Sequence, residues 1–117
     1  LNDDKSILLT SMRKEKIIGF IVGQLISSPE VYNPGGLTLM VDDFCVDQEI
    51  DWLSVGKKLI NEIRHQAKER DAEQIIVVCG HHDQAKARFL EEVGLTIVSN
   101  WYHGEITWLL LGFLEIT

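Results

Sequence analysis

A chain of 117 residues, 45% hydrophobic and 25% charged with only two prolines, is sized and composed for one compact domain over residues 1–117, not for a disordered or fibrous segment. Its formal net charge of −7 argues against a nucleic-acid partner, because phosphate backbones are gripped by clustered Lys and Arg. The same field would draw in a cationic acceptor such as an amine, although an acidic surface serves solubility equally well.

In chain order, Ser6 to Ser11 (SILLTS) form a short apolar run, Met12 to Lys16 a charged turn, and IIGFIVGQLI from Ile17 a second run, together a hairpin. Ser27-Ser28-Pro29-Glu30 and Asn33-Pro34-Gly35-Gly36 bracket an irregular loop, since Pro removes a donor and Gly tolerates positive φ. Leu37 to Val46 (LTLMVDDFCV) reads as a third strand. From Trp52 to Arg70 the residues Leu53, Val55, Leu59, Ile60, Ile63 and Ala67 recur at three- and four-residue steps, the stripe of an amphipathic helix. Gln74 to Cys79 is almost continuously apolar and β-branched, as in a strand covered on both faces, and Gly80 ends it. Asp83 stands where an N-cap would be, before a second helix that carries Ala85, Ala87, Phe89, Leu90 and Val93 and stops at Gly94. LTIVSNWY and EITWLLLGFLEI, joined at His103-Gly104, read as two closing strands. The expected order is βββαβαββ. This is an α/β (α+β) fold, a mixed and mostly antiparallel sheet flanked by two main helices, with a crossover helix making at least one parallel pair.

Cys45 and Cys79 fall within apolar strands and read as buried packing residues, which implies a reducing, cytoplasmic setting. His65, His81, His82 and His103 lack partner thiolates at ligand intervals, so no metal is expected. The apolar run from Trp108 to Leu114 is too short to cross a bilayer, and no membrane partner is expected. The N-terminus has no signal-peptide pattern and begins with Leu1, as a fragment or a trimmed chain would.

The segment VDDFCVDQEIDWLSVGKKLI, Val41 to Ile60, runs from strand through loop into helix. Such a junction gathers unsatisfied backbone N–H groups and the positive end of the helix dipole, and can hold a pyrophosphate without basic side chains. Here the sequence resembles the GNAT (Gcn5-related N-acetyltransferase) family, whose loop has the form Arg/Gln-x-x-Gly-x-Gly/Ala. Counted from Val46, those positions fall on Asp51, Ser54 and Gly56, so only the last glycine matches. A carboxylate at position 51 must turn away or cap the helix if phosphate is to bind, and Ser54 requires a negative φ. The likeness continues through DQAKARFLEEVGLTIVS, where Asp83 stands for the family's Asn, Phe89 is kept, Leu90 occupies the site of a frequent Tyr and Gly94-Leu95 stands for Gly-Phe. The family's leading strand and two helices have no counterpart in the sequence: either they are lost, or the chain is trimmed of them, or a second copy supplies the missing wall as a homodimer, the reading preferred here.

What the resemblance implies is acetyl-CoA as co-substrate. Phe44, Cys45 and Val46 would pair with its pantetheine arm, and Asp51, Trp52, Leu53, Ser54, Val55, Gly56 and Lys57 would surround its diphosphate. Asp83, Lys86 and Phe89, on the second helix, would complete the cofactor-binding set. The activity implied is transfer of the acetyl group, by direct attack, to the primary amine of a small molecule or peptide. That chemistry needs a base near the amine and often an acid near sulfur. Asp43, beside the strand edge, is the candidate base, against a solvated carboxylate. Leu90 cannot donate a proton, which leaves Tyr102, His81 and His82, or water. The alternatives are a GNAT-like CoA-binding or protein-interaction module without efficient turnover, and an interaction domain that shares only the sheet topology.

Overall fold

The computed structural model describes residues 4–27 and 36–106. The loop expected at Ser27 to Gly36 and the closing strand expected at 105–116 lie largely outside the described residues. Strands β1 (Ser6–Arg13), β2 (Lys16–Ser27), β3 (Leu37–Val46) and β4 (Ala72–Val77) form one sheet in that order. The first two pairings are antiparallel and β3 runs parallel to β4. Helix α1 (Val55–Glu69) makes the crossover, and α2 (Gln84–Glu92) follows β4.

The hairpin is tighter than the charged cluster suggests. Arg13 pairs with Lys16, and Lys14 and Glu15 both have positive φ, at 50° and 67°. That is a two-residue turn whose twist matches the strands, built here without the usual Asn-Gly pair. Arg13 and Lys16 therefore belong to the strands, and only Lys14 and Glu15 form the turn.

Helix α1 buries Val55, Leu59, Ile60, Ile63 and Ala67 against the sheet. The facing strand positions are Ile7, Ile21, Leu25, Leu39, Val41 and Phe44. Its start differs from expectation. Trp52 and Leu53 lie in a separate 3-10 turn, Glu49–Leu53, and the α-helix begins only after Ser54. The reason is Asp51, whose Oδ2 accepts the backbone N–H of Gln48 at 3.2 Å and closes a capping box on that turn.

Asp83 caps α2 as the sequence indicates, its Oδ1 accepting from the Lys86 N–H at 3.2 Å. The helix ends in a Schellman arrangement: Leu95 N–H reaches the Leu90 carbonyl and Gly94 N–H the Glu91 carbonyl, each at 3.0 Å. Gly94 adopts φ of 96°, the left-handed conformation this ending requires.

Residues 95–102 were expected as a strand and are irregular instead. Ile97 is 74% exposed, Trp101 92% and Tyr102 91%. Alternating apolar residues hold a strand only where a neighbour accepts its hydrogen bonds, and among the described residues no strand pairs with this segment. Trp101 is accordingly no core aromatic. Cys45 is a second correction: it is exposed, because alternation along β3 turns it to the face away from α1, which no helix covers among the described residues.

Candidate functional site

Two features of β3 build a cleft. First, Val22 lies opposite Asp43 and Gly23 opposite Val41, so Asp42 is an extra residue with no partner on β2. This bulge lets Val41 and Phe44, three positions apart, both face the core, and it leaves Asp42 and Asp43 both exposed. Simple alternation, which puts Asp42 on the side of Phe44, fails at that point. Second, β3 and β4 stay paired only as far as Val41 and Val77, with one further bond from Val78 N–H to the Val41 carbonyl at 3.2 Å. Beyond it β3 continues on β2 alone, so the Asp43 to Val46 edge has no strand on its other side among the described residues.

The N-terminus of α1 faces the same end of the sheet. Its first helical bond is donated by Lys58 to the Ser54 carbonyl at 3.2 Å. The N–H groups of Val55, Gly56 and Lys57 precede it and have no acceptor among the described residues, and no side chain caps them. Ser54 has φ of −104°, so serine sits there without strain. Lys57 and Lys58 are exposed on the same turn. Three free amides, a dipole end and two ammonium groups are the donor set a diphosphate requires. Asp51, buried and turned back onto Gln48, does not oppose it.

Phe44, Trp52 and Phe89 lock this end together. Phe44 meets Trp52 edge-on at 4.9 Å between centroids and Phe89 at 6.1 Å, while Trp52 stacks on Phe89 at 5.2 Å. Gly56 is fixed by this cluster. A Cβ there would lie 2.7 Å from Trp52 Cε3 and 3.3 Å from Phe89 Cζ, so glycine is demanded by packing and not by ligand approach. Leu53 is exposed and points away from the core.

Lys86, in the first turn of α2, is 7% exposed, and its Nζ stands 5.8 Å over the Phe44 ring centre. Cys79, just past β4, donates weakly to the Gly80 and Asp83 carbonyls. Burial pushes its thiol up, the Lys86 charge pulls it down in part, and Asp83 adds a smaller upward push.

The structure thus gathers Phe44, Val46, Trp52, Val55, Gly56, Lys57, Asp83, Lys86 and Phe89 at one end of the sheet. It does not join the candidate proton carriers: among the described residues no hydrogen bond or ion pair links Asp43, His82 or Tyr102. His81 and His82 are exposed, their rings 5.6 Å apart. The bulge at Asp42 and the burial of Lys86 are what sequence reasoning missed. Paired aspartates inside an apolar strand were the one available sign of the first; nothing local signalled the second. A separate open hollow of about 550 Å³, lined by Arg64, Lys68, Asp71 and Glu73, lies at the opposite end of the sheet and holds none of these residues. Among the described residues no helix is long and apolar enough to cross a membrane, and no cluster of His, Cys, Asp and Glu is suited to a metal ion.

A parallel pair that splays at the N-terminus of its crossover helix is the arrangement of the GNAT-like fold. The sequence profile of the acetyltransferase (GNAT) family matches residues 1–95, and the chain belongs to that family. No curated protein matches it significantly. Among solved structures, an aminoglycoside acetyltransferase from an uncultured soil metagenomic sample, in complex with trehalose, is similar at 20% identity and a TM-score of 0.72, over 92% of this chain and 69% of that one. The aminoglycoside acetyltransferase AAC(6')-Iy, bound to a bisubstrate analogue of CoA and acetylneamine, gives 10% identity and a TM-score of 0.75, over 90% and 71%. A transcriptional regulator from Bacillus halodurans C-125 gives 16% and 0.74, over 90% and 69%. At these identities the likeness is one of fold.

Proposed function

We infer that the chain is a CoA-dependent N-acetyltransferase that moves an acetyl group from acetyl-CoA to the primary amine of a small molecule or peptide. The observation that carries this is the pairing of the splayed β3 edge with the three unbonded amides of Val55, Gly56 and Lys57 at one end of the sheet. In this reading the amides and Lys57 hold the diphosphate, and the Phe44-Cys45-Val46 edge takes the pantetheine arm as an added strand. Asp51 shapes the turn; Trp52, Leu53 and Ser54 carry its backbone.

Acetyl-CoA supplies the thioester, and direct attack by the neutral amine on its carbonyl is the chemistry proposed. Asp43, exposed beside the bulge, takes the amine proton through water. His82 and Tyr102 are proposed to lie on the acceptor side of the cleft. That solved neighbours act on aminoglycosides supports an amino compound as acceptor, drawn in by the net charge of −7. A reducing, cytoplasmic setting, in keeping with two cysteines that form no disulfide, is part of this reading.

The sheet face opposite α1 exposes Leu8 to 49% and leaves Phe20, Val22, Ile26 and Met40 half-buried. A second copy of the chain covering it, as a homodimer, is part of this reading, and light scattering on a sizing column that returned a 13.3 kDa particle would remove it.

The second reading, CoA binding without turnover, is favoured by Leu90, which is packed in the core and offers no proton. Thermal shift with CoA tests both readings at once, because a ligand of the folded form raises stability by mass action. No shift at millimolar CoA ends both. A shift without turnover of acetyl-CoA against a panel of amines leaves the second.

A further inference from the structure

Lys86 is the one lysine buried among the described residues. Burying a charge is costly unless something offsets it, and the usual offset is a carboxylate. Here no side chain or carbonyl among the described residues accepts from its ammonium, and since no buried side-chain nitrogen is left without a partner, Nζ itself keeps contact with solvent while its stem is covered. Its Nζ stands over the Phe44 face, 5.8 Å from the ring centre. The Asp83 carboxylate, on the same turn, is engaged by the Lys86 main-chain N–H.

Position gives this lysine a use. Phe44 lies on β3 beyond the point where β3 and β4 part, and Cys79 lies on the continuation of β4. The ammonium stands over the first and its charge is felt at the second. Lys86 therefore lies on the helix-covered face of the sheet at the end where the two strands diverge.

Resting on the acetyltransfer reading, we propose that Lys86 is the proton donor to the departing thiolate of CoA. The amine lone pair attacks the thioester carbonyl carbon and forms the C–N bond. The C–S bond breaks and its electron pair stays on sulfur. A proton passes from Lys86 Nζ to that sulfur, giving the CoA thiol. The neutral lysine is reprotonated through water with the proton that Asp43 took from the acceptor amine. Before transfer, the ammonium also stabilises the negative charge building on sulfur.

The test uses the thiol of bound CoA as its own indicator, read by the ultraviolet absorbance of the thiolate during a pH titration. On the unaltered protein the thiol ionises about one pH unit below that of free CoA, since an opposite charge within a few ångströms favours the thiolate. In Lys86→Met, which keeps the apolar stem, that lowering disappears while CoA affinity stays within about threefold, and kcat for acetyl-CoA falls about 100-fold with little change in KM. Lys86→Arg retains the lowering, because its charge remains, but not the turnover. If CoA bound to the unaltered protein ionises where free CoA does, the role assigned to Lys86 is wrong while CoA binding stands. If the lowering persists in Lys86→Met, it is equally wrong. Absence of any CoA binding removes the acetyltransfer reading itself and this inference with it.

Discussion

The Trp52 indole lies on the Phe89 ring with their planes 27° apart, and Gly56 abuts both so closely that a single added carbon would strike the indole. The glycine that looks like part of a phosphate loop is therefore held by an aromatic stack. It follows that Gly56→Val is a packing mutation first. Overfilling a dense core costs about 1–3 kcal/mol, so urea unfolding should show a lowered midpoint, with Gly56→Ala affected less. An alanine variant as stable as the parent would contradict the packing role.

Asp51 closes a capping box on the turn that feeds α1. Its replacement by Ala removes the acceptor for Gln48 N–H and should cost ~0.5–2 kcal/mol, while Asn, which keeps an acceptor oxygen, should cost less. Equal stability of both variants would show the bond to be idle.

Binding of CoA should depend on the exposed ammonium groups at the start of α1. Reversing Lys57 and Lys58 together to Glu is expected to weaken CoA about tenfold, with the loss shrinking as salt rises, and to leave the melting temperature nearly unchanged. Isothermal titration at two ionic strengths decides it. Salt-independent weakening would point to a cause other than charge.

The two thiols should separate in a thiol-reagent time course. Cys45 is exposed and reacts first. Cys79 reacts slowly near neutral pH because burial holds its thiol protonated, an effect that Lys86 opposes and Asp83 reinforces. Removing the Lys86 charge should slow Cys79 further. The sign for stability follows: the folded state prefers the protonated thiol, so this contribution is whole below the thiol's ordinary value and is lost as pH rises through the raised one. Matching rates at the two cysteines would defeat this account.

Much of the architecture is written locally. The stripe of Leu59, Ile60, Ile63 and Ala67 makes α1 helical, Asp83 and Gly94 bracket α2, and Leu37 to Val46 is strand for its whole predicted length. These depend on spacing and on caps within a few residues, which a linear string contains. The sheet class and the family resemblance follow from them.

What the string did not contain is anything set by a partner distant in sequence. The bulge at Asp42 exists because β2 is one residue short opposite it. Residues 95–102 have the alternation of a strand and no described neighbour to make them one. Gly56 answers to Trp52 and Phe89, not to its own loop. Lys86, polar by identity, is buried because α2 lays it across Phe44 of β3. Periodicity and capping are properties of one segment and can be read from it. Register, burial and the company a charge keeps arise only when segments meet, and here the tertiary structure decided them.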